Sequence, residues 1–284
     1  MKICVIGGAN VDITAASFSK VIPGDSNPGS VRISLGGVAR NIAHNLVLLG
    51  DEVRFLTFFD SGDFGRMAAA DCDRIGMDTS LSSTAFGDAK SCFISLNDAD
   101  GEMIGGVADM SAVEGITPAW LEERLPALNE ADAVVADANV STESLSFLIS
   151  HVNVPLYLDA VSGAKAVRLA DALRLSVGPV HAVKCNMLEA GVLSGIPGCG
   201  RMYISRGADG IRILEDGVAE DIPALPARVV NVTGGGDALF AGIIHAGPSA
   251  SASDAARFGL RCAKYAVESP DAVNPDVSLL MICK

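Results

Sequence analysis

Short runs of apolar residues alternate with longer amphipathic stretches along most of the chain. A continuously apolar run is typical of a strand buried on both faces, and apolar spacing of three and four is typical of a helix. The strands predicted in this way are Ile3–Ile6, Val53–Phe59, Ala133–Ala136, Pro155–Asp159, Val180–Cys185 and Met202–Ser205. The main predicted helices are Val38–Leu49, Asp63–Ile75, one from Pro118, one capped by Ser141, Ala164–Leu175, one from Asn186, one after Gly236, and Ala252–Glu268. At least five strand-to-helix alternations predict an α/β fold, with a mostly parallel sheet and helices on both faces.

A second pattern interrupts this alternation. Ser91–Leu96 and Glu102–Val107 flank a turn that contains Gly101, which predicts an antiparallel hairpin with no helix to cover it. Val31, Ile33 and Leu35 alternate with polar residues like a strand with one wet face, whereas the rest of residues 13–35 is polar and predicts irregular structure. We expect the hairpin and this strand to form a small projecting sheet.

The segment Val229–Gly242 contains Gly234, Gly235 and Gly236, then Asp237 and an apolar helical pattern. A glycine run at a helix start exposes several backbone N–H groups, and the helix dipole adds to their attraction for an anion. A carboxylate does not help to bind phosphate, so Asp237 needs another role. Taking a proton from a hydroxyl that attacks phosphorus is one such role. The alternative is a flexible loop followed by an ordinary helix cap.

Other polar residues stand at strand ends and helix starts, and in an open α/β sheet such positions converge on one edge. They are Asn10, Asp12, Gly36, Gly37, Asn41, Asn139, Asn186, Glu189, Ser205 and Gly207. Gly7 and Gly8 follow the first strand, but the complete dinucleotide-binding glycine pattern is absent, which makes an oxidoreductase of that type a distant alternative.

Composition excludes several classes of function. A net charge of −13 and a pI near 4.6 argue against binding nucleic acid or an anionic membrane. The seven cysteines and four histidines are scattered, with no spacing typical of a zinc site. A strand is predicted from the first residues and no apolar run is long enough to span a bilayer, so we expect no signal peptide and a cytoplasmic protein.

Two motifs resemble the ribokinase-like (PfkB) carbohydrate and nucleoside kinases. The first runs from Gly36 to Leu46 and is followed by Leu49-Gly50; the second is Val232–Gly242. Their order and separation, and Asn186 and Glu189 between them, agree with the family over nearly the whole chain. Within the family the nearest likeness is to pseudouridine kinases, through Ala9–Asp12, Asp25–Gly29, Arg40–Ala43, Ala136–Ser141 and Asn231–Thr233.

The resemblance implies an ATP- and Mg²⁺-dependent kinase that phosphorylates a primary hydroxyl of a nucleoside or sugar, with pseudouridine as the first expectation. Asp237 would be the base, and the amides of Gly234, Gly235 and Gly236 would hold the charge of the phosphoryl group. The substrate-binding residues implied are Asn10, Asp12, Gly37, Asn41 and Asn139. The nucleotide-binding residues implied are Asn186, Ser205, Gly207, Thr233 and Asn274, with Glu189 orienting the metal.

The resemblance also implies one ribokinase-like domain over residues 1–284, with a β lid from about 12–35 and 88–110. Such a lid closes over the sugar and pairs with a second subunit's lid, so a homodimer is expected, without nucleic-acid or membrane partners. The family's usual Gly-Ala-Gly-Asp is here Gly-Gly-Gly-Asp, Asn231 stands where an Asp is common, and the segment 195–201 is short.

Three alternatives stay open on the sequence. The chain could phosphorylate another nucleoside or a free sugar. It could be a catalytically silent sugar-binding protein of the same fold, since fold alone does not fix function. Single residues also have plainer interpretations: Asp12 as a turn residue, Asn139 as a helix cap and Asn274, which precedes a proline, as a turn residue.

Overall fold

The computed structural model describes residues 1–196, 198 and 200–282. Within that part of the chain, eight strands form one large sheet. From one edge to the other they are β14 (Val218–Ile222), β13 (Ile211–Glu215), β12 (Arg201–Ser205), β11 (Ala182–Asn186), β10 (Leu156–Asp159), β9 (Ala133–Asp137), β1 (Lys2–Ile6) and β4 (Glu52–Leu56). Neighbouring strands from β12 to β4 are parallel, and β13 and β14 add an antiparallel edge. The predicted α/β fold with a mostly parallel sheet is confirmed.

Helices cover both faces of this sheet. They are α1 (Val38–Leu48), α2 (Asp63–Arg74), α3 (Pro118–Glu122), α4 (Leu125–Asn129), α5 (Thr142–His151), α6 (Gly163–Leu175), α7 (Met187–Leu193), α8 (Gly235–His245) and α9 (Ala252–Val267). Short 3-10 helices lie at Ser111–Gly115, Gly207–Asp209 and Pro275–Met281. No helix in the described part of the chain is long and apolar enough to cross a membrane.

Successive side chains of each strand point to opposite faces of the large sheet, so apolar residues pack on both faces. Ile3 and Val5 pack with residues of α1, α8 and α9 on one face. Cys4 and Ile6 pack with residues of α3, α5 and α6 on the other. The helices that carry the two glycine motifs, α1 and α8, therefore share one face of the sheet and contact each other.

The small sheet contains four strands among the described residues. Their order is β3 (Gly29–Gly36), β2 (Asn10–Ser17), β7 (Cys92–Asn97) and β8 (Met103–Asp109). The predicted hairpin is therefore present as β7 and β8, and the predicted alternating strand is β3. A further short pair joins β5 (Phe58–Phe59) to β6 (Ser83–Thr84).

Two predictions of local structure are wrong. Residues 13–35 are not wholly irregular, because Ile13–Ser17 continues β2. The backbone of this strand is hydrogen-bonded to β3 on one edge and to β7 on the other. The predicted strand Val53–Phe59 divides into β4 and β5, because the Thr57 amide donates to Ser82 Oγ instead of a neighbouring strand. Of the short segment 195–201, Pro197 and Cys199 lie outside the described residues.

Candidate active site

Three charged side chains stand in a row at the carboxyl ends of neighbouring strands. Asp137 on β9 is the register partner of Asp159 on β10, which in turn is the partner of Lys184 on β11. All three are at least nine-tenths buried. They face α1 and α8, because Tyr157, two residues before Asp159, belongs to the core on that side. Lys184 Nζ lies 3.1 Å from Asp159 Oδ2.

The glycine run before α8 lies directly against this row. Gly234 precedes the helix with a φ of 81°, and a Cβ there would lie 1.8 Å from the carbonyl oxygen of Ala272. A Cβ on Gly236 would lie 2.9 Å from Lys184 Nζ. The backbone conformation therefore requires glycine at 234, and a side chain at 236 would displace the ammonium group of Lys184.

The amides of the glycine run differ in their availability. The Gly235 amide donates to the carbonyl of Val232 at 3.3 Å. The amides of Gly234 and Gly236 have no acceptor among the residues that the structure describes. Two of the three predicted anion-binding amides are therefore open to a ligand at the start of an 11-residue helix.

Asp237 lies in the first turn of α8 and is 8% exposed. Asn41, in the first turn of α1, donates a hydrogen bond of 2.9 Å from Nδ2 to Asp237 Oδ2. Burial raises the pKa of Asp237 to about 7; Lys184 and Asn41 oppose the increase, and Asp159 adds to it. A carboxyl group with this pKa exchanges a proton near neutral pH, as a general base must.

The predicted sugar-binding residues of β2 meet the glycine pair before α1. Asn10 Nδ2 donates to Asp12 Oδ1 at 2.5 Å. A Cβ on Gly36 would lie 2.1 Å from Asp12 Oδ2, and one on Gly37 would lie 2.3 Å from the carbonyl oxygen of Gly8. Burial raises the pKa of Asp12 to about 6, against the hydrogen bond from Asn10. Glycine at 36 and 37 thus lets β2 approach the start of α1 closely.

Asn139 lies beside Asp137 and does not contact Asp237. Its Nδ2 donates to Asp137 Oδ2 at 2.7 Å, and its Oδ1 accepts a hydrogen bond from Lys165 of α6. Ser141, not Asn139, accepts the hydrogen bond that caps α5. Asp137 and Lys165 therefore hold the side-chain amide of Asn139 in one orientation.

A cleft of about 920 Å³ lies between the small sheet and residues of α1, α2 and the segment 270–275. Asp12 and Thr14 of β2, Ser34 of β3 and Phe93 of β7 line its sheet side. Thr233, in the loop before the glycine run, lines the opposite side. The cleft extends from Asp12 to the loop that leads into α8, and its volume is in the range of small-molecule sites. Asn41 and Asp237 are not among its lining residues.

The predicted nucleotide-side residues Asn186 and Glu189 bind each other. Asn186 Oδ1 accepts from the amides of Leu188 and Glu189, and both carboxylate oxygens of Glu189 accept from Asn186. Glu189 is 1% exposed. Ser205 is the register partner of Asn186 on the next strand, and its hydroxyl donates to the carbonyl of Cys185. These residues form one group at the ends of β11 and β12.

The remaining nucleotide-side residues are more dispersed. Gly207 has a φ of 58° and open space around its Cα. The Thr233 amide donates to Asn231 Oδ1 at 3.0 Å. Asn274 accepts from the Asp276 amide and donates to the carbonyl of Tyr265 at 2.7 Å, so its side chain caps the last 3-10 helix.

The described residues do not form a site for a permanently bound metal ion. They fit better a metal ion that binds together with a phosphate ligand. Within the described chain, no group of three or more His, Cys, Asp or Glu side chains is arranged to hold a metal ion. Mg²⁺ usually keeps several waters and takes only one or two protein carboxylates together with substrate phosphates. Glu189, whose pKa is raised by burial against the Asn186 hydrogen bond, is the candidate for such a contact.

Sequence patterns did not single out Asp137, Asp159 or Lys184. Their signal is one charged residue near the end of each of three otherwise apolar strands. A charge at such a position is expensive unless it is paired, so three of them in neighbouring strands indicate a shared site.

Comparison with known proteins gives the family of the chain and supports the fold. The family model described as pfkB family carbohydrate kinase matches residues 1–278. The pseudouridine kinase of Escherichia coli is 31% identical over 297 residues, which cover 98% of this chain and 94% of that protein. The guanosine-inosine kinase of Exiguobacterium acetylicum is 23% identical over 297 residues, covering 95% of each. A ribokinase from Thermotoga maritima superimposes with a TM-score of 0.82 at 14% identity, covering 99% of both chains. The chain therefore belongs to the pfkB family of carbohydrate kinases.

Proposed function

We propose that this kinase phosphorylates a primary hydroxyl of a nucleoside, and that its substrate is pseudouridine, converted to pseudouridine 5′-phosphate with ATP as donor. The observation that carries the proposal is the buried Asp237 at the start of α8, in hydrogen-bond contact with Asn41 and beside two open glycine amides. A base, an anion-binding helix start and a hydroxyl-binding side chain then meet at one point.

Asp237 removes the proton of the attacking hydroxyl. As that proton moves to the carboxylate, the substrate oxygen forms a bond to the terminal phosphorus of the nucleotide, the bond to the ADP oxygen breaks, and ADP leaves. Because burial keeps the pKa of Asp237 at about 7, the carboxylate is a stronger base than an exposed aspartate would be.

The glycine run and Lys184 stabilise the negative charge of the transferring group. The amides of Gly234 and Gly236 have no acceptor among the described residues, and donors fixed in advance cost no reorganisation during the reaction. Lys184 keeps its charge, because Asp159 and Asp237 hold its pKa above the usual range although burial opposes this. When bound, Mg²⁺ neutralises phosphate charge, and Asn186 and Glu189 would orient it.

We assign the other predicted residues to the two ligands. Asn10, Asp12, Gly37, Asn41 and Asn139 hold the sugar hydroxyls on the side of α1 and β2. Ser205, Gly207, Thr233 and Asn274 contact the nucleotide on the side of β12 and the last 3-10 helix.

Substrate choice rests on the likeness to the pseudouridine kinase over nearly the whole chain. Likeness to the guanosine-inosine kinase supports a nucleoside more broadly. An ADP-release assay with pseudouridine, uridine, inosine and ribose tests the choice. We expect the highest kcat/KM for pseudouridine, with a product phosphorylated at the 5′ position. A higher kcat/KM for inosine or ribose would contradict the substrate, and no turnover of any compound would contradict the function.

We further propose that the small sheet acts as a lid and joins two copies of the chain. Ile33, Ile13, Ile94 and Val107 are successive register partners across the sheet. Ile33 is 54% exposed and Val107 is 69% exposed, and apolar neighbours extend the patch. A second copy of the same sheet would cover this face.

The mass of the chain in solution tests the dimer. We expect the wild-type chain to have twice its monomer mass in light scattering and Ile33→Asp to be monomeric. Val167→Asp, at an exposed position on α6, is the matched control and should leave the dimer intact. A monomeric wild-type chain, or an Ile33→Asp dimer of unchanged affinity, would contradict the proposal.

A further inference from the structure

Asp137 accepts hydrogen bonds from three separate segments of the chain. Its Oδ2 accepts from the Ala39 amide at 3.0 Å, from Asn139 Nδ2 at 2.7 Å and from the Gly8 amide at 3.4 Å, while its Oδ1 accepts from the Asn139 amide at 3.0 Å. The side chain is fully buried. It therefore has no free surface with which to contact a substrate.

Each of these segments leads to a group in the proposed substrate site. Ala39 lies in the first turn of α1, the same turn that carries Asn41 to Asp237. Gly8 lies two residues before Asn10. Asn139 is itself in the proposed site. One buried carboxylate thus connects the start of α1, the entry to β2 and the end of β9.

We propose that Asp137 is a positioning residue, which fixes the groups that hold the substrate hydroxyls relative to Asp237 without touching the substrate. This inference rests on the proposed function, because it assigns a cause to the arrangement of that same site. The two amides at Oδ2 set the approach of β2 to α1, and the bond to Asn139 sets the direction of its side chain.

The geometry leaves no equivalent replacement for this carboxylate. Every partner of Asp137 is a donor, so an asparagine at 137 would turn its own N–H groups toward at least one of them. The side chain of Asn139 cannot turn over to relieve this donor–donor contact. Lys165 donates to its Oδ1 and so keeps its Nδ2 directed toward position 137. A longer glutamate has no room, since a Cβ on Gly7 would already lie 2.5 Å from Asp137 Oδ1.

Steady-state kinetics of Asp137→Asn test the role. The matched control is Asp51→Asn, which also removes the charge of a buried aspartate, one that contacts His245 at 2.7 Å at the far end of α8. We expect Asp137→Asn to raise the KM for the hydroxyl substrate and lower kcat/KM by about 10- to 100-fold, the usual effect of misplacing reacting groups. The KM for ATP should stay within about two-fold.

We expect Asp51→Asn to change stability but neither KM. An Asp137→Asn enzyme with the same KM for the hydroxyl substrate as Asp51→Asn would overturn the positioning role while the proposed function stands. A wild-type enzyme without turnover on the nucleoside and sugar panel would overturn the proposed function instead.

Amide hydrogen exchange tests the connection without activity and decides the case if Asp137→Asn does not fold. The Ala39 amide, second in α1, donates to Asp137 and should exchange far more slowly than the Phe64 amide, which is second in α2 and has no acceptor among the described residues. In a folded Asp137→Asn chain we expect this difference to shrink. Equal exchange of the two amides in the wild-type chain would overturn the proposal.

Discussion

Asn41 and Asp237 join the first turns of α1 and α8 through a hydrogen bond of 2.9 Å, although 196 positions separate them in the chain. Each of the two helices is preceded by a glycine with a positive φ, Gly37 before α1 and Gly234 before α8. The bond favours the ionised form of Asp237, but burial outweighs it and the pKa lies at about 7. Under the proposed function, this contact would link substrate binding to the base.

The pH dependence of kcat/KM should follow the ionisation of Asp237. Because only the ionised carboxylate accepts a proton, kcat/KM should rise with pH through about 7 and level off above it. Asn41→Ala removes a hydrogen bond that favours the ionised form, so the midpoint should move to higher pH. Initial rates at subsaturating substrate between pH 5.5 and about 9 measure both profiles.

Asn45→Ala is the control for that shift. Asn45 lies one turn farther along α1 and donates to the Asn41 carbonyl, not to Asp237. Its replacement should leave the midpoint unchanged. A wild-type profile that is flat through pH 7, or equal midpoints for the wild type and Asn41→Ala, would contradict the assignment.

Lys184 is the counter-ion of the buried Asp159, and under the proposed function it also stabilises the transferring phosphoryl group. Lys184→Met leaves Asp159 fully buried without its counter-ion, and removing one partner of such a pair costs about 3–5 kcal/mol of unfolding free energy. Adding Asp159→Asn should restore much of this stability, because neither charge then remains. Urea unfolding measures the stability, and ADP release should be strongly reduced in both variants.

The exposed ion pair between Arg212 and Asp221 is the control for this loss of stability. Both side chains are about 40% exposed, so Arg212→Met should cost no more than about 1 kcal/mol. Full activity of the double variant would show that Lys184 serves the fold alone.

Gly234 should tolerate no side chain. An alanine at this position would be strained by the left-handed backbone and would clash with the Ala272 carbonyl. Because the loop would be displaced, we expect Gly234→Ala to lower kcat by about 100-fold or more. Gly217→Ala has the same type of φ but open space around it, so it should cost only about 1–2 kcal/mol in stability. Thermal unfolding and ADP release separate the two effects; similar kcat values for both variants would exclude a role for the loop geometry.

The sequence predicted the parts of the fold that depend on local periodicity. The start of α1 and the run into α8 followed from glycine before helical apolar spacing, and both helices lie there. The strand β2 was not predicted, although Val11 and Ile13 alternate with Asp12 and Thr14. Small and polar residues reduced its signal, and its pairing with β3 and β7 depends on distant segments.

The charged row shows why part of the site could not be predicted. Asp159 and Lys184 come from strands that only the fold makes neighbours in register. Their residue types were visible in the sequence, but the pairing depends on strand order. The capping box of Asn186 and Glu189, by contrast, is local and follows from their spacing of three.

The turnover of Asp237→Asn with pseudouridine and ATP is the most direct test of Asp237 as the base. Asparagine keeps the size and the contact with Asn41 but cannot accept the hydroxyl proton. We predict that kcat falls by about 10²–10⁴, the usual contribution of a general base, while the KM for ATP and the unfolding temperature stay near their wild-type values. A variant that folds, binds both substrates and retains near wild-type kcat would contradict the claim that Asp237 is the base of a phosphoryl transfer.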